Sequence, residues 1–169
     1  MKPSMLISAL VLLLALAASV PPSAQAGCKN SGEQIRKVSK KNARAAIGCL
    51  FNKERSGQNV KRDGDLERAA QGHSSVMAAQ DCYSHQCSGE PDLRTRVGRT
   101  GYMRGSSSYG LGEVILILSA KASPRQVVNA WMGSSEHASN ITNKTWEHAG
   151  IGVSIRRGAV YTAGDLGRR

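Results

Sequence analysis

The chain has 169 residues, 40% of them hydrophobic, and a formal net charge of +11. This length suits one domain with a real hydrophobic core. Such a charge favours anionic partners, but the basic residues are scattered and no aromatic residues are interleaved with them, which argues against a specific nucleic-acid-binding surface and leaves a solvated cationic surface as the plainer interpretation.

Residues 1–26 have the features of a secretory signal peptide. Lys2 precedes an uncharged stretch, and Ala24-Gln25-Ala26 provides small residues for a signal peptidase. The apolar part is too short for a membrane span. Cys28 raises the alternative of a lipid-modified cysteine, but Gln25 stands where a lipoprotein signal normally has a leucine-like residue. We expect a secreted, extracellular protein, with the periplasm as the alternative location.

Four cysteines in an exported chain indicate disulfides, and they are Cys28, Cys49, Cys82 and Cys87. Three pairings are open, and proximity in the sequence favours Cys28 with Cys49 and Cys82 with Cys87. The second pair would close a short loop around His85, which the loop-entropy model values at ~2 kcal/mol. A zinc site of cysteines and histidine is the weaker alternative, because Cys82 and Cys87 lack the usual two-residue spacing.

The first predicted elements are two helices that follow a polar lead-in at residues 27–42. Apolar residues recur at helical spacing from Ala43 to Phe51, and Gly57 ends this pattern. Asp63 or Asp65 can cap a second helix with an apolar stripe. His73 lies within that stripe, where a histidine is more often a hydrogen-bonded core residue than a ligand, so we assign it a supporting role.

Residues 81–110 are polar and irregular, which is typical of a functional surface loop. The run Val114-Ile115-Leu116-Ile117-Leu118 is short and β-branched, and it predicts a strand that is buried on both faces, with Glu113 at its start.

Ser123-Pro124-Arg125-Gln126 combines an N-cap, a proline at the first helical position and a capping-box partner, so a third helix should follow. The remaining residues predict a hairpin that turns at Arg157-Gly158. Its first strand alternates between an apolar face and a face that carries His148, Gly150 and Gly152, where the glycines allow another element or a ligand to approach closely. Together these elements predict one α+β domain over residues 43–169, with helices covering a sheet.

Several short motifs resemble the CAP superfamily, which comprises cysteine-rich secretory, antigen 5 and pathogenesis-related class 1 proteins, and most closely its bacterial SCP-like branch. The resemblance runs from about Ala46 to Leu166. The motifs are Ala69-Ala70-Gln71-Gly72-His73-Ser74, Tyr83-Ser84-His85, Gly112-Glu113, Trp131-Met132-Gly133-Ser134, Glu136-His137 and His148-Ala149-Gly150-Ile151-Gly152-Val153. The resemblance implies a three-layer α-β-α sandwich with a central cleft.

In that family the cleft is lined by histidines and acidic residues, and some members bind a divalent metal there. Matched position by position, the resemblance implies a cleft of His85, Glu113, His137 and His148. Two departures leave its details open. Val114 stands where asparagine is usual, and Glu136 precedes His137 where glycine is common, so Glu136 competes with Glu113 as the acidic partner.

Neutral imidazoles at His85, His137 and His148, with the Glu113 carboxylate, could supply three or four ligands to zinc or another divalent metal. The alternative is a buried hydrogen-bonded network in which Glu113 orients a histidine. No cofactor other than such a metal is expected.

Three functions follow from these residues. The cleft could bind a divalent metal or a small extracellular ligand such as a lipid, a glycan or a protein partner, which the family resemblance favours. It could instead be the site of a hydrolase of peptides or esters, with Glu113 as base and His137 as electrostatic support. The third function is adhesion of a cationic protein to an anionic surface or lipid. We expect a monomer.

Overall fold

The structure is a computed structural model that describes residues 27–169, so the predicted signal peptide lies outside the described residues. The helices and strands in chain order are a 3-10 turn at Ile35–Lys37, α1 (Lys40–Glu54), β1 (Lys61–Arg62), α2 (Gly64–Gln80), α3 (Leu93–Thr100), β2 (Gly110–Ser119), α4 (Pro124–Met132), α5 (Ser135–Thr142), β3 (His148–Arg156) and β4 (Ala159–Arg168). No helix within this part of the chain is long and apolar enough to cross a membrane.

One four-stranded sheet forms the middle layer, with the strand order β1-β3-β4-β2. The pairs β2–β4 and β3–β4 are antiparallel, and the short β1 is parallel to β3. Helix α2 packs on one face of β3 and β4, and α3 packs beside it, while α1, α4 and α5 cover the other face. The α+β class and the three-layer arrangement are therefore confirmed.

The capping residues fix where the main helices begin. Asp63, not Asp65, caps α2, because its side chain accepts hydrogen bonds from the backbone nitrogens of residues 65 and 66. Ser123 and Gln126 form the predicted capping box at the start of α4. The predicted end of α1 at Gly57 lies beyond the observed one. The helix stops at Glu54, and Gly57 is in the following turn with a φ of 86°.

Two helices were missing from the sequence-based prediction. The supposed loop at residues 81–110 contains α3, which Asp92 caps through the backbone nitrogen of Thr95 and which Gly101 ends with a φ of 95°. Ser134 caps α5 in the same way. Both helices have only eight residues, which is too short for an apolar stripe to repeat, so their caps were the only signals available.

The lead-in at residues 27–42 is packed onto the domain rather than trailing from it. Ile35 is buried, and its backbone nitrogen donates to the carbonyl of Ala122. The predicted pairing of Cys28 with Cys49 is confirmed, and this disulfide joins the lead-in to α1.

The predicted hairpin is confirmed, and the element that approaches its glycine face is α2. A Cβ built on Gly150 or Gly152 would overlap backbone atoms of Glu67 or Ala70. The predicted strand after Glu113 is longer than expected and lies at the edge of the sheet. Only its middle residues are buried, so the prediction of burial on both faces was wrong for its second half.

Candidate functional site

The candidate site is a cleft between the Cys82–Cys87 loop, the start of α3 and the start of β2. A cavity of about 330 Å³ opens there to solvent. Its lining residues are His85, Gln86, Asp92, Leu93, Leu111, Gly112 and Glu113. Two of the residues predicted from the sequence, His85 and Glu113, therefore face the same space.

The disulfide loop from Cys82 to Cys87 positions His85. Cys82 and Cys87 are bonded, as predicted, and Cys87 is buried against the core while the His85 side chain is 56% exposed. Gln86 ties the loop to the segment before α3 by donating to the carbonyl of Glu90. The disulfide and this hydrogen bond thus restrain the backbone of the loop, while the His85 side chain remains accessible to solvent.

Glu113 is the buried partner of His85. Its carboxylate is only 2% exposed, and Oε1 lies 2.7 Å from Nδ1 of His85. Its second oxygen accepts from the guanidinium of Arg96. Burial by itself would raise the pKa of Glu113, but the hydrogen bond from His85 and the charge of Arg96 outweigh it and hold the pKa below its ordinary value.

Arg96 connects the cleft to the chain around it. Its guanidinium is 6% exposed and also donates to the carbonyls of His85, at 2.9 Å, and of Pro91, at 3.2 Å. One buried cation therefore balances Glu113 and fixes the backbone of the segment that precedes α3.

His73 supports this network from α2. It is fully buried, and its Nδ1 lies 2.8 Å from Oε2 of Glu90. Its Nε2 lies 3.8 Å from Oε2 of Glu113. The supporting role that its place in the α2 stripe predicts fits this position between two carboxylates.

Asp165 is a carboxyl group beneath the cleft. It pairs with Glu113 across β2 and β4 and is completely buried. Neither of its oxygens has a hydrogen-bond partner among the described residues. Burial, then the nearby negative charge of Glu113, raises the pKa of Asp165 well above its ordinary value, so this position favours the neutral acid.

His137 lies near His85, at the start of α5. Burial lowers the pKa of His137, Glu136 opposes this, and a positive charge on His85 lowers it further. Glu136 also raises the pKa of His85, so these three side chains share one electrostatic neighbourhood. The structure thus places Glu136 and His137 near enough to His85 to affect its charge, although neither residue lines the cavity.

His148 is engaged elsewhere. Its Nδ1 lies 3.0 Å from the hydroxyl of Tyr102, and the two rings pack edge to face with centroids 5.8 Å apart. Burial raises the pKa of Tyr102 to about 12, so this hydroxyl stays protonated. Strand β4 separates His148 from Glu113 on β2, and the structure does not bring His148 into the cleft.

The predicted metal set can be compared with these positions. Among residues 27–169, no three histidine, cysteine, aspartate or glutamate side chains form a group that could hold a metal ion. Both oxygens of Glu113 are already used by His85 and Arg96. The donors that remain are the imidazoles of His85 and His137, fewer than the three protein ligands of a catalytic zinc site.

The pKa values of His85 and His137 should shift in opposite directions from the ordinary value of 6.5. The hydrogen bond to Glu113 raises the pKa of His85, whereas burial lowers that of His137. NMR titration of the two imidazoles should therefore find His85 changing protonation at the higher pH. The contribution of the His85–Glu113 ion pair to stability is present below 6.5 and is lost as the pH rises through the raised pKa of His85.

At acid pH, the contribution of Glu113 to stability depends on pH in the opposite way, because its pKa is lowered. Its contribution is present above the ordinary value of 4.5 and is lost as the pH falls through the lowered pKa. The His85–Glu113 ion pair therefore contributes most to stability between pH 4.5 and pH 6.5. Glu113→Gln should lower the pH at which His85 is half-protonated. An unmoved midpoint in that variant would contradict the pairing.

Four residues of the site were missed in the sequence. Arg96 and Glu90 belong to the buried network, Asp165 lies next to Glu113 on the neighbouring strand, and Asn140 of α5 donates to the backbone carbonyl of Glu113. Asn140 also accepts from the indole nitrogen of Trp146. No local signal distinguishes these polar residues from solvated ones, because their partners lie far away in the chain.

Residues 41–163 match the Cysteine-rich secretory protein family, CAP. The protein YkwD of Bacillus subtilis is 29% identical over 125 residues, a match that covers 70% of this chain and 45% of YkwD. The chain therefore spans about half of that relative's length.

Solved structures share the fold. An outer surface protein of Borrelia burgdorferi superimposes with a TM-score of 0.63 at 16% identity, covering 78% of this chain and 96% of that one. An extracellular SCP-domain protein of Bacillus anthracis gives 0.57 at 20% identity, covering 78% and 44%. By its sequence match, with its fold in agreement, this chain belongs to the CAP family of cysteine-rich secretory proteins.

Proposed function

We propose that this protein is exported and binds an acidic glycan, such as an anionic cell-wall polymer, in the cleft around His85. The observation that carries the proposal is the buried Glu113–Arg96 pair behind a half-exposed imidazole. Because Glu113 raises the pKa of His85, the ring keeps its positive charge to a higher pH than a free imidazole would, and in that form it presents a charged hydrogen-bond donor to the cavity. The two disulfides and the extracellular nature of the Bacillus anthracis relative support export.

The surroundings of His85 suit a sugar. Tyr83, on the same disulfide loop, is 58% exposed, the most exposed of the large apolar side chains among the described residues. An exposed aromatic ring offers a flat apolar face on which a sugar can stack, while Gln86 and Asp92 of the cavity wall supply hydrogen-bonding groups. The net charge of +11 adds a general attraction for polyanions.

Hydrolysis with Glu113 as base has less support. A general base must be free to take a proton from water or substrate, but both oxygens of Glu113 already accept hydrogen bonds. Its lowered pKa also makes it a weaker base than an ordinary carboxylate.

Metal binding is a second proposal, favoured by one observation. The Nδ1 of His85 faces the Glu113 carboxylate, and this leaves Nε2 at the exposed end of the ring. Carboxylates orient metal-binding histidines in this way. In this arrangement His85 and His137 would hold the ion, and Glu113 would orient His85 instead of binding. The metal would supply an electrophilic centre when bound.

Calorimetry with an oligogalacturonate tetrasaccharide tests the glycan proposal. His85→Gln should weaken binding by about tenfold, because it removes a charged hydrogen bond. His148→Gln is the matched control, since that histidine lies outside the cleft, and it should bind as the wild type does. Binding by the wild type should weaken as the pH rises through the raised pKa of His85.

Two results would reject the cleft as the glycan site. One is no saturable binding by the wild type. The other is equal binding by His85→Gln, which, if it collapses with added salt, indicates adhesion through the general surface charge.

Zinc titration of metal-stripped protein separates the second proposal from the first. Modest heat that disappears in both His85→Gln and His137→Gln supports a two-histidine site. Absence of heat in the wild type rejects it and leaves the glycan proposal untouched.

A further inference from the structure

A second cavity lies on the other face of the sheet, away from Glu113. It has a volume of about 260 Å³ and lies between α1 and the β1–β3 edge. Its walls include the apolar residues Phe51, Val60, Ala149 and Ile151. Ala149 and Ile151 alternate along β3 with Gly150, which faces α2, so this cavity and the cleft are on opposite sides of the strand layer.

Glycine in α1 leaves this cavity open. Gly48 lines it, and a Cβ built at this position would meet no atom within 4 Å. A glycine inside a helix costs stability relative to alanine, and at Gly48 no close contact requires one. A side chain introduced at this position would therefore have room to enter the cavity.

The mouth of the cavity carries an excess of positive charge. Arg62 holds both oxygens of Glu67, at 2.5 and 2.7 Å. Arg44 is drawn to the same carboxylate, with Nε 3.4 Å from Oε1, and one of its terminal nitrogens donates to Gln71. Two guanidiniums thus share one carboxylate.

Arg44 is only partly paired. Its buried Nε lies 3.4 Å from Oε1 of Glu67 but makes no well-formed hydrogen bond among residues 27–169. Because Arg62 already holds both oxygens of that carboxylate, a second anion at the cavity would find one guanidinium charge that is not fully balanced. The Arg44 side chain is 20% exposed, so it can be reached from the cavity that it lines.

We propose that this cavity is a second binding site, which takes a small apolar monocarboxylate. The apolar walls would bury the body of the ligand, and Arg44, assisted by Arg62, would bind its carboxylate. The volume lies just below the usual range for ligand cavities, about 300–1,000 Å³, which excludes large lipids and fits a molecule the size of octanoate or 1-naphthoate.

Calorimetry and amide NMR with octanoate and with 1-naphthoate test this site. Saturable binding of either probe, with shifts at the amides of Gly48, Val60 and Ala149 and none at Gly112, supports the proposal. Tighter binding of octanoate would identify the natural ligands as linear, and tighter binding of naphthoate would identify them as aromatic. No saturable binding of either up to about 10 mM would overturn the proposal.

Gly48→Leu fills the cavity without disturbing the helix, because no atom lies near the new Cβ. It should reduce probe affinity by at least about tenfold. Gly72→Leu is the matched control, since Gly72 is an exposed glycine of α2 with equally open space and does not line the cavity. Equal binding by Gly48→Leu and the control would overturn the assignment.

Arg44→Met removes the guanidinium while keeping an unbranched apolar stem. It should lower the affinity for 1-naphthoate by about tenfold and leave the affinity for the neutral analogue 1-naphthylmethanol unchanged. Arg99→Met, at an exposed position of α3, is the control for loss of one charge. Equal weakening by both variants would show that general charge, not this cavity, attracts the anion.

Discussion

Gly150→Ala should lower the free energy of unfolding by more than about 4 kcal/mol and leave little folded protein. The added Cβ would overlap the backbone of α2 at Glu67 and Leu66, which cannot move aside as the end of a flexible side chain would. Relief requires α2 to move away from β3, and this would open the largest helix–sheet contact of the domain. Urea unfolding, with circular dichroism as the signal, measures the loss.

Gly72→Ala provides the control for this prediction. Position 72 is an exposed helix site with open space around it, so the same substitution should stabilise the protein by about 0.5–1 kcal/mol. A Gly150→Ala variant that unfolds at the wild-type urea concentration would show that α2 does not sit this close to β3.

Arg96→Met should destabilise the protein by about 3–5 kcal/mol. The substitution leaves Glu113 buried without its cation and removes donors from the carbonyls of His85 and Pro91. The loss should shrink as the pH falls, because a protonated Glu113 needs no counter-charge. Urea unfolding at several pH values measures both effects.

Variants of Glu113 and Arg99 test whether the unpaired charge of Glu113 causes this loss of stability. Arg96→Met combined with Glu113→Gln should recover at least about 1 kcal/mol, since the unpaired charge is gone. Arg99→Met, at an exposed position on the same helix, should change stability by less than about 0.5 kcal/mol. A loss at Arg96 as small as that at Arg99 would mean that the pair contributes little.

The long elements of the fold were predictable because their signals are local. Helix α4 follows a capping box, and the β3–β4 hairpin follows from strict alternation and the Arg157-Gly158 turn. Helices α3 and α5 were missed because eight residues give too few turns for an apolar stripe to repeat. Their capping residues, Asp92 and Ser134, were visible but ambiguous beside the other polar residues of each segment.

The candidate site was predictable only in its outer residues. His85 and Glu113 stand out by type and by family resemblance, and the structure brings them within a hydrogen bond. Arg96 looks like one more surface arginine until α3 turns it inward. Asp165 is concealed for a different reason, since its neighbour Glu113 is on another strand and strand pairing cannot be read from local sequence.

The close contact of α2 with β3 also bears on how the two cavities would communicate. The helix carries His73 beside the cleft network and Glu67 at the second cavity. Coupling between sites needs an element with two stable positions, each favoured by one ligand. Backbone packed directly on backbone at Gly150 and Gly152 gives α2 a single position, so occupancy of one cavity should leave the affinity of the other unchanged.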